Sequence, residues 1–383
     1  MSVSKKKLLI LVDWFTPGYK AGGPIQSNVN LAVALSDEYD VYVFTTDTDH
    51  GEKEPYTGIE TEKWVYNEDL KISIFYAQKS TLGFGKVSKE INNLQPDFVY
   101  LNLLFSPYFN MYPLLLKYVG KIKGKVILCP RGSLYDSALS VSSLKKKPVL
   151  LLYKWLKIAK VISFHATNER EKEAINKYFP GANVIIADNL PNIQQTPFVS
   201  LPKQPNMLNC LFVARIVAIK NVLFILNVLK TVQSVIKFTI VGPIEDEVYW
   251  EECKKVIAEL PHNISIDYVG PQKHSDIKKI TLQNHLFVLP TTGENFGHAI
   301  FESFLAGRPV LISDQTPWLN LEEKNAGWDV PLNHPKIFAQ HIEMLANLNQ
   351  QEYDTFAMSA WQYAKEFIEN NQAIKSYKLL FHE

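Results

Sequence analysis

The chain has 383 residues, 46% of them hydrophobic and 21% charged, with a formal net charge of +1. That composition is globular, excludes a disordered chain, and predicts roughly two domains with cores large enough to need no disulfide staple. The three cysteines, Cys129, Cys210 and Cys253, have neither metal nor redox spacing and suit a reducing cytoplasm. No window approaches the roughly 18 to 20 apolar residues of a membrane span, and no signal peptide is expected.

Taken in order, the first 190 residues alternate apolar runs with helical patterns. Strands are predicted at 8–12, 39–45, 72–77, 97–102, 125–130, 161–167 and 183–189. The loop after the first strand, D-W-F-T-P-G-Y-K-A-G-G-P, leads into a helix beginning near Ser27. Residues 190–206 carry four prolines without apolar periodicity and read as a linker over 191–206. A second α/β run follows, with strands at 209–215, 237–243 and 264–270 and helices between them. Strands alternating with helices predict doubly wound parallel sheets, one Rossmann-like domain over 1–190 and another over 207–365. Residues 366–383 form a terminal helix expected to pack back on the first domain. Ligands of such folds sit at the carboxyl ends of strands, and with two similar lobes the cleft between them is the expected site.

Charge is unevenly spread. Residues 1–200 hold 24 basic and 19 acidic side chains, the remainder 16 and 20, so the halves carry +5 and −4. From Lys117 to Lys160 eleven basic residues face one acid, Asp136. Within that stretch P-V-L-L-L-Y-K-W-L-K-I-A-K interleaves leucines, Tyr153 and Trp155 with lysines. It reads either as a core helix with a solvated lysine face or as an interfacial helix against anionic lipid. Nucleic acid is not an expected partner, because no recognition motif accompanies the charge.

The segment most specific for chemistry is T-T-G-E-N-F-G-H-A-I-F-E, residues 291–302, after the apolar run H-L-F-V-L-P. A helix is predicted to begin there, with Asn295 as N-cap and Gly307 closing it. A helix start presents about four unpaired N–H groups and roughly half a positive charge, and Gly297 lets backbone approach an anion closely. Glu294 sits in the loop and Glu302 about two turns along the helix. Taken alone, both glutamates are equally consistent with solvated helix-end charges. Arg215 and Lys220, in V-A-R-I-V-A-I-K-N at the end of the second domain's first strand, suit a diphosphate. Gly22 and Gly23 fall at another strand-to-helix loop but lack the full dinucleotide fingerprint.

Together these residues resemble the retaining glycosyltransferases of family 4, which have the two-lobed GT-B architecture. The resemblance rests on Gly22–Gly23, the Arg215–Lys220 spacing, V-G-P at Val241–Pro243 and E-N-F-G-H-A-I-F-E followed by A-G-R-P-V. It implies that Arg215 and Lys220 hold a donor diphosphate, with help from the amides of Asn295, Phe296 and Gly297. It implies that Glu294 binds the transferred sugar, that His298 contacts it, and that Glu302 accepts hydrogen bonds from a ribose. The base would stack near Val269–Lys273, with Gly270 and Gly242 also lining the donor site. No metal or other cofactor is implied, because cations and helix amides neutralise the diphosphate. Where many relatives carry a His after the strand near residue 129, this chain has Arg131, which cannot serve as a base. Arg131, Asn102 and Asp13 are the candidate acceptor contacts, and His165 is expected to be structural. The implied activity is transfer of a hexose from a UDP- or GDP-linked sugar to a glycan or lipid-linked saccharide, in the cytoplasm or on the inner face of the membrane. A nucleotide-sugar epimerase on the same fold, or a non-catalytic nucleotide or glycan binder, are the alternatives.

Overall fold

The computed structural model describes residues 5–135, 139, 143–191, 197–370 and 373–381. Asp136, the linker residues 192–196 and the side chain of Lys145 lie outside the described residues. The chain divides into two compact units, one of residues 1–190 with 372–383 and one of residues 191–371.

The first unit is built on β1 (Lys7–Leu11), β2 (Asp40–Thr46), β3 (Trp64–Asn67), β4 (Ile72–Ala77), β5 (Phe98–Asn102), β6 (Lys125–Cys129), β7 (Ser163–Ala166) and β8 (Asn183–Ile186). The sheet order is β3-β4-β2-β1-β5-β6-β7-β8. Leu8 to Leu11 and Phe98 to Leu101 are almost wholly buried, as central parallel strands covered on both faces must be. The sheet is not all parallel. β3, which periodicity did not single out, pairs antiparallel to β4 at the edge, and Trp64 there packs on Tyr42 and Phe75. Around the sheet lie α1 (Gly23–Leu35), α2 (Phe84–Leu94), α3 (Tyr112–Tyr118), α4 (Ser143–Trp155) and α5 (Glu169–Tyr178). α5 begins on Asn168, whose side chain accepts from the Glu171 amide at 2.8 Å, with Glu169 and Glu171 in its first turn.

The second unit has β9 (Met207–Val213), β10 (Val235–Val241), β11 (Ile264–Gly270), β12 (Leu286–Leu289), β13 (Val310–Ser313) and β14 (Gly327–Val330), ordered β11-β10-β9-β12-β13-β14 and parallel throughout. Its helices are α6 (Val222–Leu229), α7 (Glu247–Ala258), α8 (His274–Leu282), α9 (His298–Leu305), α10 (Pro335–Asn347) and α11 (Gln350–Asn370). Both units are open, Rossmann-like α/β layers of the GT-B class.

The end of the chain is divided differently from the sequence expectation of one helix over 366–383. α11 runs unbroken to Asn370 within the second unit, because Phe367 inserts against Phe301 and Trp318. Only α12 (Ala373–Leu380) belongs to the first unit. There Tyr377 meets His165 at 5.0 Å between ring centroids, Phe381 packs on Tyr39, Phe98 and Tyr100, and Lys378 pairs with Glu38. The described part of the 191–206 segment is not a free tether either. Phe198 packs on Trp361, and the buried Lys203 ammonium donates to the Ala346 and Leu348 carbonyls at the end of α10.

Candidate functional site

Every predicted donor residue except Gly22 and Gly23 lies at or beyond the carboxyl ends of β9 to β12: Val269 and Gly270 end β11, His298 and Glu302 lie in the helix after β12, and the others are on the loops. Arg215 and Lys220 follow β9. The chain there makes a short 3-10 turn over Ala218–Lys220, and Asn221 in the left-handed region (φ 60°) reverses it into α6. The loop is tied to its neighbour after β10: Ile216 N–H donates to Pro243 O at 2.8 Å, and Ala214 N–H to Val241 O at 3.1 Å. This close approach explains Gly242. At φ 143° a Cβ there would lie 1.9 Å from the Ala214 carbonyl oxygen. The Gly242 N–H donates to Gly270 O and its carbonyl accepts from the Tyr268 hydroxyl at 2.9 Å. Both polar groups of Gly242 are thus engaged within the fold, and packing by itself requires a glycine there.

The loop after β12 is held equally firmly. Thr291 Oγ1 and the Thr292 amide donate to Ile219 O, and the Glu294 amide donates to Gln315 O. Thr291 and Thr292 thus lock the 291–297 turn to the Lys220 turn. The consequence is a direct ion pair: Lys220 Nζ lies 2.6 Å from Glu294 Oε2, with the two side chains only 15% and 18% exposed. The other carboxylate oxygen accepts from the Asn295 amide at 3.0 Å. Arg215 likewise pairs with Glu245, at a more exposed position. Sequence reasoning placed both cations correctly at strand ends but missed their carboxylate partners. Glu245 was visible only as the acid following V-G-P-I, and the Lys220–Glu294 contact spans 74 residues.

The helix start differs from the prediction in one detail. Gly297, not Asn295, is the N-cap of α9, in the left-handed region at φ 80°. A Cβ at 297 would meet Ile300 Cδ1 at 2.7 Å and Glu294 Cγ at 3.2 Å, so glycine is needed for conformation and space alike. Asn295 lies two residues earlier, in the turn. Phe296 is buried, its ring 4.8 Å from that of His298 and 5.2 Å from that of Trp318. Trp318 is 3% exposed and donates its indole N–H to the Phe296 carbonyl, bracing the turn from behind.

Glu302 lies on the second turn of α9, facing the loop after β11. Its Oε1 is 3.7 Å from Nδ1 of His274, the first residue of α8. Burial raises the Glu302 carboxyl to about 8 and lowers the His274 imidazole from its ordinary value. Both are therefore largely neutral at pH 7, and the contact is not a salt bridge. Gly270 takes φ 71° as the strand ends, and Val269 O accepts from the Gln272 side chain at 2.8 Å. The fold thus brings the predicted ribose acid beside the predicted base loop, and adds His274.

In the first unit, the loop after β1 is anchored by Asp49, whose carboxylate accepts from the Tyr19 and Lys20 amides. Gly22 caps α1 at φ 69°, followed by Gly23 and Pro24. Asp13 accepts from the Ser106 hydroxyl at 2.8 Å, and burial raises its carboxyl to about 6 against that hydrogen bond. Arg131 takes the left-handed region at φ 49° after β6; its Nε donates to Asn102 Oδ1 at 2.8 Å and its Nη1 to Asn189 Oδ1. Of the three acceptor candidates, Asn102 and Arg131 are joined directly, whereas Asp13 is held by a different partner. His165 is buried between the Tyr100 hydroxyl (2.6 Å) and Ala187 O (2.7 Å), and burial lowers it to about 3. Both ring nitrogens are occupied, so its part is structural.

Among the described residues, no group of three or more His, Cys, Asp or Glu side chains has the arrangement of a metal site. No helix among them is long and apolar enough to cross a membrane.

Residues 194–365 match the family model of glycosyl transferases group 1. The group 1 match thus covers both cation positions, the 291–302 turn and the loop after β11. No curated protein matches the chain. Among solved structures, the chain is similar to HepE of Anabaena in complex with UDP and glucose, at TM-score 0.65 and 15% identity over 98% of each chain. It is similar to sucrose-phosphate synthase of Thermosynechococcus elongatus, at 0.66 and 14% over 98% of this chain and 99% of that one. It is also similar to the lipopolysaccharide outer core galactosyltransferase WaaB, at 0.60 and 16% over 98% of each chain. At these identities the likeness shows a shared fold.

Proposed function

We propose that the protein is a retaining hexosyltransferase that moves a sugar from a UDP- or GDP-linked donor to a glycan or lipid-linked saccharide. The observation that carries this reading is the partly buried Lys220–Glu294 pair at the Gly297 helix start, within the segment that matches group 1 glycosyl transferases. These two pairs have the right chemistry to be exchanged. A donor diphosphate takes over Lys220 and Arg215, and Glu294 and Glu245 give up those cations. Released Glu294 then accepts from sugar hydroxyls while the α9 start faces the phosphates. Glu302 and His274 receive the ribose, and the loop 269–273 receives the base.

The reaction is a front-face substitution. The acceptor oxygen forms its bond to the anomeric carbon as the bond from that carbon to the diphosphate oxygen breaks. The acceptor proton passes to the departing diphosphate, and Lys220 and Arg215 stabilise its charge. Glu294 takes no covalent part, unlike a glycosidase nucleophile. Gly22–Gly23 contribute to the donor site, and Asp13, Asn102 and Arg131 to acceptor binding; none of these needs a cofactor. The location that suits this chemistry is the cytoplasm, with the exposed apolar face of α4 on the inner surface of a membrane. A thermal-shift series with UDP, GDP and ADP tests the donor reading: one nucleotide stabilises the protein by mass action. No shift with any of the three sinks the reading. Donor turnover without any acceptor, yielding an epimerised nucleotide sugar, replaces it.

A further inference from the structure

A second concentration of cationic side chains lies in the first unit, at the amino ends of β6, β7 and β8 and therefore at the opposite ends of those strands from the Arg131 loop. An open cavity of about 670 Å³ is lined there by Lys117, Lys123, Lys125 and Lys160 together with Val161 and Ser163, and no Asp or Glu lines it. That volume is in the range of small-ligand sites, about 300 to 1,000 Å³. The wall is built rather than loose. Lys117 Nζ donates to the Gly124 carbonyl at 2.9 Å and to the Ile122 carbonyl at 3.4 Å, fixing the turn before β6. Gly124 in that turn has no room for a Cβ, which would meet the Pro96 carbonyl oxygen at 2.3 Å. Burial lowers the ammonium groups of Lys117 and Lys125 from their ordinary value, a cost that a bound anion would relieve. Lys123 and Lys160 stand at the exposed rim.

Apolar surface adjoins the cavity. Val161 lines it and is exposed, and Tyr118 and Val119, directly after Lys117, are exposed as well. Five residues before Lys160, α4 ends at Trp155, which is 77% exposed, and Leu144, Leu151 and Leu152 are exposed with it. These positions recur at seven, eight and eleven residues from Leu144, so they form one stripe of the helix, while Leu150 and Tyr153 face the core. No acid occurs between Asp136 and Glu169.

We propose that this lysine-lined cavity binds the phosphomonoester of a phospholipid headgroup, whose charge and oxygens exceed those of a phosphodiester, while the α4 stripe enters the surrounding bilayer interface. The chemistry is phosphate recognition by ammonium groups, and the adjoining apolar stripe selects a lipid over a free anion. The inference deepens the membrane reading given above and rests on it; it does not depend on the donor site.

Flotation of the full chain with vesicles tests it. Three compositions are compared: phosphatidylcholine alone, phosphatidylcholine with phosphatidic acid, and phosphatidylcholine with phosphatidylserine matched in total charge. The expected result is binding to phosphatidic acid vesicles at least fivefold above phosphatidylserine, falling with salt and competed by inorganic pyrophosphate. Lys123→Gln/Lys160→Gln removes that preference and lowers binding about tenfold, leaving the nucleotide-induced thermal shift unchanged. Leu151→Ser/Trp155→Ser weakens binding to both anionic vesicles alike. Equal binding to both by wild type and by the lysine variant overturns the phosphate site and leaves a membrane face without one. Pyrophosphate protection of Lys123 from acetylation, with no vesicle bound, overturns the lipid source. Absence of both overturns site and membrane reading together.

Discussion

The two units handle positive charge in opposite ways. In the second, Arg215 and Lys220 leave the carboxyl end of β9 already matched to Glu245 and Glu294. In the first, four lysines gather at the amino ends of β6 to β8 around a cavity that no carboxylate lines. The difference lies in what the fold asks of each set. A partly buried ammonium such as Lys220 is costly without a counter-charge, which Glu294 supplies; under the proposed function, a donor diphosphate exchanges with that carboxylate. At the rim of the first unit, Lys123 and Lys160 remain in water and need no such partner. The first arrangement favours selectivity, because only an anion that outcompetes a carboxylate enters. The second favours ready electrostatic capture.

The largest expected effect tests the exchange. Lys220→Ala lowers the rate of sugar transfer about 10²- to 10³-fold, the usual loss for one group stabilising a developing oxyanion. It should act mainly on kcat, measured with whichever donor nucleotide gives the thermal shift. A loss confined to KM would make Lys220 a ground-state contact and weaken the contrast between the units.

Next comes the scaffold that brings the cations together. Gly242→Ala places a Cβ against the Ala214 carbonyl and is expected to destabilise the second unit by about 3 kcal/mol, read as a lowered urea midpoint. Gly22→Ala in the first unit has nothing within 4 Å of its Cβ and meets only the backbone strain of φ 69°, ψ −131°, about 2 kcal/mol. Equal losses at the two positions would show that space plays no part.

The third effect is a pH dependence. Desolvation pushes the partly buried Glu302 carboxyl up to about 8. Ribose hydroxyls donate to its ionised form, so nucleotide affinity should rise with pH up to about 8, by at most about tenfold per unit, and level off above. For folding the sign is opposite. The raised value favours the protonated folded state, a contribution fully present below 4.5 and lost as pH rises through about 8. Calorimetric binding from pH 6 to 9 checks the first, and Glu302→Gln should flatten it; a flat wild-type profile removes Glu302 from the ribose site.

The smallest effect concerns the exposed pair. Glu245→Ala should change stability by less than about 1 kcal/mol, since Arg215 and Glu245 are each 38% exposed. It should nonetheless raise nucleotide affinity a few-fold by freeing Arg215. Weaker nucleotide binding would mean that Glu245 positions Arg215 rather than competing for it.

Much of this was legible along the chain. Apolar runs marked twelve of the fourteen strands among the described residues, because central parallel strands are apolar on both faces and announce themselves. β3 was missed because an edge strand of four residues, W-V-Y-N, carries too little pattern, and β14, G-W-D-V, for the same reason. The 291–302 motif identified its helix correctly, but the cap was misplaced by two residues. Asn295 has the better capping side chain, yet the turn needs a left-handed residue with no Cβ beside Glu294 and Ile300, and Gly297 meets both demands.

The sequence by itself determined the α/β class, the strand-end positions of Arg215, Lys220, Glu294 and Glu302, and the basic stretch from 117 to 160. These are local properties, carried by periodicity, spacing and composition. Only the tertiary structure decided which charges meet. The Lys220–Glu294 pair, the Glu302–His274 contact, the Arg131–Asn102–Asn189 network and the lysine cavity each join residues from separate strands. Such partners are chosen by strand order and by glycines that permit close approach. Neither leaves a periodic trace in the chain.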